Sequence, residues 1–480
     1  MRLPSAFFQK YFTYALYKFA CATNPNGNVP AGLQGPWVEE YQPPPWGGDY
    51  HFNVNIQQIY TLAFAIGQMD HCLPLFDMLD SWRDVLRRNA RVLLDIDDGF
   101  VMGMCTTDRG QLLYYGAGCI LDQAVAGWTA QLYWLYYRYT GDLVFLRQRA
   151  YPFMLGVLRA YAAMLEDKNG RLSLPLSISA EYASKQGQHL GRDPSSQLAC
   201  IHMLIDALAE AGRCLGLKPD PIWRKIKTKL PLYTLVGDQG QERIAVWHAQ
   251  DLTQCHRHHS HLSCIYPFDS LGKLTPEKQA ILDNSIDHWI SKGMGQWSEW
   301  CIPWAAILQA RMGFTEAPMV LMNMWREIFV NEGLATVYLP KFRGITAHRR
   351  ADMLKPKKTH EVMQLDGTMA AATVLIELLV HQRAGVTHVF PAVPEAWRDV
   401  AFRNIRVPGP FLVSAEKKDG VVTRVKIKSV TGGKLQIVVH GIRRMVITGN
   451  GKTNRIVTFP ITLSLRPGEY RTMLCMPKTT

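Results

Sequence analysis

Residues 120–166 read ILDQAVAGWTAQLYWLYYRYTGDLVFLRQRAYPFMLGVLRAYAAMLE, and the architecture is decided there. Apolar residues recur every three to four positions on both sides of Tyr139-Thr140-Gly141-Asp142, which predicts two helices, over 120–139 and 143–166. Gly141 ends the first, because only glycine enters the left-handed region freely, and Asp142 caps the second. Working outward, the same spacing recurs over 3–21, 53–69, 75–93, 196–216, 219–232, 275–291, 299–312, 317–331 and 366–383. Helices arriving as consecutive pairs predict an α/α toroid, an inner ring of helices around a cleft. No fixed sequence period supports a solenoid.

Near residue 385 the period changes. Short apolar runs at Val386–Val393, Phe411–Lys417, Val421–Ser429, Lys434–Val439, Met445–Thr448, Arg455–Phe459 and Thr462–Leu465 are separated by Asp-Gly, Gly-Gly, Asn-Gly and Pro-Gly pairs. Thr423, Val425 and Ile427 alternate with Arg424, Lys426 and Lys428, the period of a half-exposed strand. The expected organisation is a helical domain over 1–384 and a small antiparallel β-sandwich over 385–480.

At 480 residues, with 48% hydrophobic and 19% charged content, the chain reads as an ordinary globular protein with a large core. The net charge of +13 invites a nucleic-acid reading, but residues 401–480 alone carry 15 Lys+Arg against 3 Asp+Glu. The rest of the chain is nearly neutral, so the excess reads as a solvated sheet face, with a polyanion-binding face as the alternative. Neither a nucleic-acid partner nor a membrane span is expected, since no run of about 18 apolar residues occurs. Ten cysteines lack a CxxC pair or a regular framework, and no secretory signal opens the sequence. Both features predict a reduced, cytoplasmic protein.

Gly32–Tyr60 reads GLQGPWVEEYQPPPWGGDYHFNVNIQQIY. Pro43, Pro44 and Pro45 stiffen the loop, and Gly47 and Gly48 allow a sharp turn. Trp37 and Trp46 offer flat apolar faces of the kind that stack on sugar rings. Asn53 and Asn55, two residues apart, point the same way if the segment is extended, as would suit holding a water or a hydroxyl-rich ligand. A cap on a helical core is the alternative. Glu181, in Ser177-Ile178-Ser179-Ala180-Glu181, lies between helices among small residues. Asp366 stands where an apolar run meets a helix, and Asp193 reads as an N-cap.

Glycosidic hydrolysis needs a protonated carboxyl at the leaving oxygen and a second carboxylate, or an equivalent base, to activate water. Glu181 and Asp366 are candidates for these roles. Cys255 to Cys264, CHRHHSHLSC, resembles a metal site at first sight, but its spacing matches no zinc pattern. Histidines in such a run, His258 and His261 among them, can instead hold sugar hydroxyls or carboxylates. In Gly295–Trp300, Ser298 reads as an N-cap, Trp297 and Trp300 as cleft candidates, and Trp304 as core. No cofactor or metal is expected.

Seven motifs then fall in one order: LQGPW (33–37), PPPWGGDYHFNVN (43–55), SISAE (177–181), HRHHSHL (256–262), WSEWCIPW (297–304), MQLDG (363–367) and HVFPAVPEAW (388–397). Together they resemble glycoside hydrolase family 95, the inverting α-L-fucosidases and α-L-galactosidases. The resemblance implies an (α/α)6 barrel and a glycan substrate. It implies Glu181 as general acid, Asn53 and Asn55 as holders of the attacking water with Asp366 as their partner, and roughly 6.5–9.5 Å between the carboxyls. His258, His261, Trp297, Trp37 and Trp46 would shape the sugar pocket. Three departures stand out. Ala180 replaces the family's Pro, MQLDGTMA replaces FQIDGNFG, and the sequence opens on the helical part without the β-sandwich that precedes it in the family. Other readings are a phosphorylase or lyase on the same toroid, a non-catalytic glycan-binding derivative, and a zinc-binding module.

Overall fold

A computed structural model describes residues 1–38, 44–114, 116–342, 362–449 and 452–475; Pro43 lies outside them. Helices dominate up to Leu379, and strands follow from Val380. Inner helices Asn55–Ile66, Ala124–Thr140 and Ser195–Leu215 pack in sequence, and Cys301–Arg311 packs on Leu365–Leu379, which returns to Asn55–Ile66 and closes the ring. Between Ser195–Leu215 and Cys301–Arg311 the ring is completed by the turn Ser260–Leu262, where His259 Nε2 bonds the Cys301 carbonyl at 3.0 Å. The helices Ala6–Ala22, Tyr151–Met164 and Ala317–Phe329 pack outside, against Leu365–Leu379, Ala124–Thr140 and Cys301–Arg311 respectively. The expected toroid is therefore present. Among the described residues, no helix is long and apolar enough to cross a membrane.

The decisive stretch folds nearly as its spacing predicts. Gly141 is left-handed (φ 77°) after Ala124–Thr140, and Asp142 Oδ1 accepts from Val144 N and Phe145 N at 2.8 and 2.9 Å. The second helix is not continuous: Leu146–Ala150 widens into a π-turn before Tyr151–Met164. Pro152 explains the break, because it brings no N–H to the ladder. The segment expected over 75–93 divides at Trp82 into Leu73–Ser81 and Arg83–Leu94. There the Ser81 hydroxyl bonds back to the Met78 carbonyl and the Trp82 indole donates to the Asp108 carbonyl.

The last inner helix stops at Leu379, short of the expected 383, because Val380–Arg383 is drawn into a sheet, with Val380 opposite Val389. Two sheets follow. Six strands run in the order Lys452–Thr458, Arg444–Gly449, Tyr470–Leu474, Val421–Ser429, Phe411–Lys418, Val400–Val407; four run Ile461–Leu465, Gly433–Val439, Val386–Val389, Val380–Arg383. All pairs are antiparallel except Gly433–Val439 with Val386–Val389, where Gln436 faces Val386. Alternation along Val421–Ser429 buries Val425 and Ile427 and exposes Arg424, Lys426 and Lys428. The sheets dock on the ring through Arg406, which donates to the Tyr139 carbonyl at 2.9 Å, and the Gly409 N–H, which donates to the Arg138 carbonyl at 2.8 Å.

Candidate active site

Two cavities lie at opposite poles of the ring. One, of about 990 Å³, is lined mainly by residues toward the C-terminal ends of the inner helices, such as Arg138, Arg311 and Glu377, and by strand residues Val386 and Gln436. The other, of about 360 Å³, is reached by Asn55 at the start of its helix, by Trp300 just ahead of Cys301–Arg311, by His51 and Cys105 on a short strand pair, and by the loops carrying Glu181 and Arg257. Helix N-termini turn their unpaired N–H groups toward this second cavity, which favours negative charge there.

Asn53 and Asn55 both line it and are only 6% exposed. The route differs from the extended segment expected. The strand is only Tyr50–His51, held by Cys105–Thr106, and Val54 (φ −164°, ψ −37°) turns the chain so that Asn55 opens a helix. Each amide takes a different carboxylate. Asn53 Nδ2 donates to Glu181 Oε1 at 2.5 Å, and Asn55 Nδ2 donates to Asp366 Oδ2. Because a carboxylate can only accept, these bonds orient both amides. Asn53 Oδ1 is left buried and without a partner.

Glu181 sits in the left-handed region (φ 56°), an uncommon and strained conformation for a residue with a side chain. Its loop is pinned on both sides: Ser177 pairs with Gly191 across a bridge, the Ser179 hydroxyl bonds the Ser260 hydroxyl at 2.8 Å, and His256 Nε2 bonds the Ala180 carbonyl at 3.0 Å. Arg257 donates to Glu181 Oε2, while His51 Nε2 and His258 Nε2 lie 3.9 and 4.0 Å from Oε1. Burial pushes the Glu181 carboxyl up, but the facing His258 ring and the charges of His51 and Arg257 hold it well below the usual carboxylate range. Burial holds the His258 ring neutral, well below 6.5. Arg257 and His51 are therefore the cations that keep Glu181 ionised. Burial opposes charge on His51 too, but Asp49, 2.8 Å from its Nδ1, together with Cys105 and Glu181, raises it well above 6.5.

Asp366 is the second residue of Leu365–Leu379 and fully buried. Its Oδ1 accepts from Gly367 N at 2.7 Å. Burial raises its carboxyl to about 6, against the pull of Asn55, the Gly367 N–H, His51 and Glu299.

The expected sugar-pocket residues divide. Trp46 (φ 54°) lines the cavity and meets Tyr338 edge-on at 4.7 Å. His258 also lines it, 2% exposed, with neither ring nitrogen hydrogen-bonded to protein. Trp37, Trp297 and His261 lie elsewhere. Lys18 Nζ stands 3.2 Å over the Trp37 ring, Trp297 stacks on Trp289 at 5.5 Å, and His261 is buried in its turn. Each had a flat or polar surface that the core takes up instead.

Two expected caps are also absent. Asp193 accepts from Leu174 N at 2.6 Å while Pro194 occupies the cap position, and Ser298 bonds Cys301 Sγ, with Trp300 at the cap. The histidine run does not converge on one point, since His256 and His259 each bond a separate carbonyl. Asp49, His51 and Cys105 do bring one ligand-type atom each within 4.8 Å of one another, through the hydrogen bonds that orient His51. His51, Arg257, Tyr338 and Glu299 were missed as site residues. His51, Arg257 and Glu299 stand inside the motifs already quoted, and a charged group within such a motif was the available signal.

This fold is shared with carbohydrate-processing enzymes. A structure titled "Putative kojibiose phosphorylase from human microbiome" superposes with a TM-score of 0.58 at 11% identity, covering 98% of this chain and 67% of that one. The α-L-rhamnosidase of Streptomyces avermitilis, crystallised with L-rhamnose, gives 0.54 at 13% identity, covering 98% and 42%. The chain belongs to glycosyl hydrolase family 95, whose catalytic-domain model matches residues 4–379. Alpha-L-fucosidase 2 of Arabidopsis thaliana is 25% identical over 451 residues, 90% of this chain and 50% of that protein. The chain thus spans about half the length of the curated relatives it matches.

Proposed function

We propose that this chain is a glycoside hydrolase that removes a terminal α-L-fucosyl or related α-L-galactosyl residue from a glycan with inversion. The observation that carries the reading is the pair of amide–carboxylate contacts, Asn53 to Glu181 and Asn55 to Asp366, with Asn53, Asn55 and Glu181 on the wall of one cavity and Asp366 buried behind Asn55. With its N–H drawn toward Asp366, the Asn55 amide gains negative charge on Oδ1. That oxygen, with Asn53 Oδ1, accepts the protons of a water and points its lone pair at the anomeric carbon. As the water attacks, its proton passes to Asn55 Oδ1 while Asn55 Nδ2 gives its own proton to Asp366 Oδ2, so the carboxylate takes up the charge.

Glu181 protonates the leaving oxygen. In this arrangement it is a carboxylate, paired with Arg257. A bound sugar that takes up the guanidinium N–H groups and shields Glu181 from water raises its proton affinity on both counts and turns it into an acid. His258, whose two ring nitrogens lack protein partners, would receive sugar hydroxyls, and Trp46 a ring face; both line the cavity, which supports that role.

The phosphorylase fold neighbour supplies a second reading. A phosphate dianion entering where Asn55 and Asp366 meet would face a buried carboxylate, so water is the better nucleophile. The test is a panel of aryl α-L- and β-D-glycosides with Glu181→Gln as control. Hydrolysis of the α-L-fucoside, independent of added phosphate and lost in the variant, is expected, with the inverted anomer formed first by proton NMR. Full turnover by the variant, or dependence on phosphate, would sink the assignment.

A further inference from the structure

Glu299 is fully buried, and neither carboxyl oxygen has a hydrogen-bond donor in contact. A buried carboxylate in that state would be costly, and the mechanism above does not use this residue. Its surroundings explain it. The side chain runs along the start of the final helix, so close that a Cβ on Gly367 would lie 2.9 Å from Glu299 Cγ. Asp366 immediately precedes Gly367, so the Glu299 carboxyl is buried beside that of Asp366, and each acts on the other. The backbone on either side is fixed, with the Glu299 carbonyl accepting from the Trp325 indole at 2.8 Å. Thr336, whose Cγ2 packs on the same Gly367, is tied to Tyr11 and Thr368 through its hydroxyl.

Two carboxyls in contact away from water cannot both be ionised. Asp366 has three N–H or cationic neighbours that favour its anion: Asn55, the Gly367 amide and His51. Glu299 has only its own N–H and the Ser298 hydroxyl nearby, and burial and Asp366 outweigh them. Cys301, on the same segment, is a neutral thiol, raised by burial. This asymmetry favours the proton on Glu299.

We propose that Glu299 is a positioning residue: as a neutral acid it donates its O–H to the Asp366 carboxylate, and so holds Asp366 ionised and aimed at Asn55. The proposal deepens the hydrolase reading and rests on it for its kinetic consequence, though not for the protonation itself.

Two variants separate the parts. Glu299→Gln keeps a donor and the shape, whereas Glu299→Leu keeps neither donor nor polarity. Infrared difference spectra at neutral pH should show a protonated-carboxyl band in the wild-type protein that Glu299→Gln removes, a readout independent of turnover. The pH profile of kcat on p-nitrophenyl α-L-fucoside reports the enzyme–substrate complex. Its acidic limb should stay in place for Glu299→Gln. In Glu299→Leu it should move up by about one unit, a loss of about tenfold in kcat below the limb. A spectrum unchanged by Glu299→Gln would overturn the proposal, as would an acidic limb unmoved in a folded Glu299→Leu protein. If Asp366→Asn leaves turnover intact, the hydrolase reading fails instead, and the infrared band still decides where the proton is.

Discussion

Replacing Asp366 by asparagine separates the charge of this site from its shape. In the wild type, two donors meet two carboxylate oxygens, Asn55 Nδ2 on Oδ2 and Gly367 N on Oδ1. An asparagine offers one oxygen and one N–H₂, so one of those donors must face another donor. Losing a hydrogen bond to a charged acceptor costs about 1.5–3 kcal/mol. The wild-type carboxylate is itself a burden on the fold, because burial lifts its pKa from 3.8 to about 6. That shift corresponds to about 3 kcal/mol against the folded state once the group is ionised.

The sign follows from proton uptake. Between the unfolded and folded values the folded protein binds the extra proton, so this group's contribution to stability falls as pH rises through that window. Asparagine carries no such term. The two effects nearly cancel, and Asp366→Asn should unfold within a few degrees of wild type near pH 8, with a shallower decline in stability between about pH 4 and 6. Activity should behave otherwise, with kcat on p-nitrophenyl α-L-fucoside falling about 10²–10⁴-fold through loss of the charge behind the water. Thermal unfolding at several pH values and steady-state kinetics on the same preparation make the comparison. A folded variant retaining more than about a tenth of wild-type kcat would refute the role of the carboxylate.

Other perturbations test the frame around the site. Gly367→Ala places a methyl 2.7 Å from Thr336 Cγ2 and 2.9 Å from Glu299 Cγ. It should cost about 1–3 kcal/mol by urea denaturation and lower kcat with it, since the atoms that must give way belong to the Asp366 surroundings; unchanged stability would show that the contact relaxes freely. Arg311→Met breaks the buried pair with Glu377, two bonds of 2.9 Å at the opposite pole of the ring. Leaving Glu377 without its partner should cost about 3–5 kcal/mol, with kcat per folded molecule unchanged. A loss below about 1 kcal/mol would mean that Glu377 is neutral or solvated.

Periodicity carried most of the fold, and its failures have local causes. The helix over 143–166 was legible from its apolar spacing, but the π-turn at Leu146–Ala150 depends on the N–H that Pro152 lacks within an otherwise helical run. Val380–Arg383 continues the helical pattern and still becomes a strand, because the neighbouring Val386–Val389 offers a partner that the local pattern does not encode. Val400–Val407 and Tyr470–Leu474 escaped notice because Arg403, Asn404 and Pro467-Gly468 break the apolar alternation beside them. Pairing with Phe411–Lys418 and Val421–Ser429 supplies what their own sequence lacks.

The site was legible to a different depth. Asn53, Asn55, Glu181 and Asp366 could be singled out because each sits where local structure gives it no other task. The amides looked alike in sequence, and only the fold shows that Asn53 serves Glu181 while Asn55 serves Asp366. Trp37 and Trp297 misled for the converse reason. An aromatic face is chemically the same whether a sugar or another side chain covers it, and here Lys18 and Trp289 do so. Glu299 is the hardest case. In WSEW it reads as the first residue of the helix expected over 299–312, and nothing in the local sequence says that its carboxyl will be shut away from water. Its significance arises only when the final helix, some 65 residues onward in the chain, brings Asp366 against it. A lone acid becomes half of a pair sharing one proton, and the charge state of the site is then set by long-range packing.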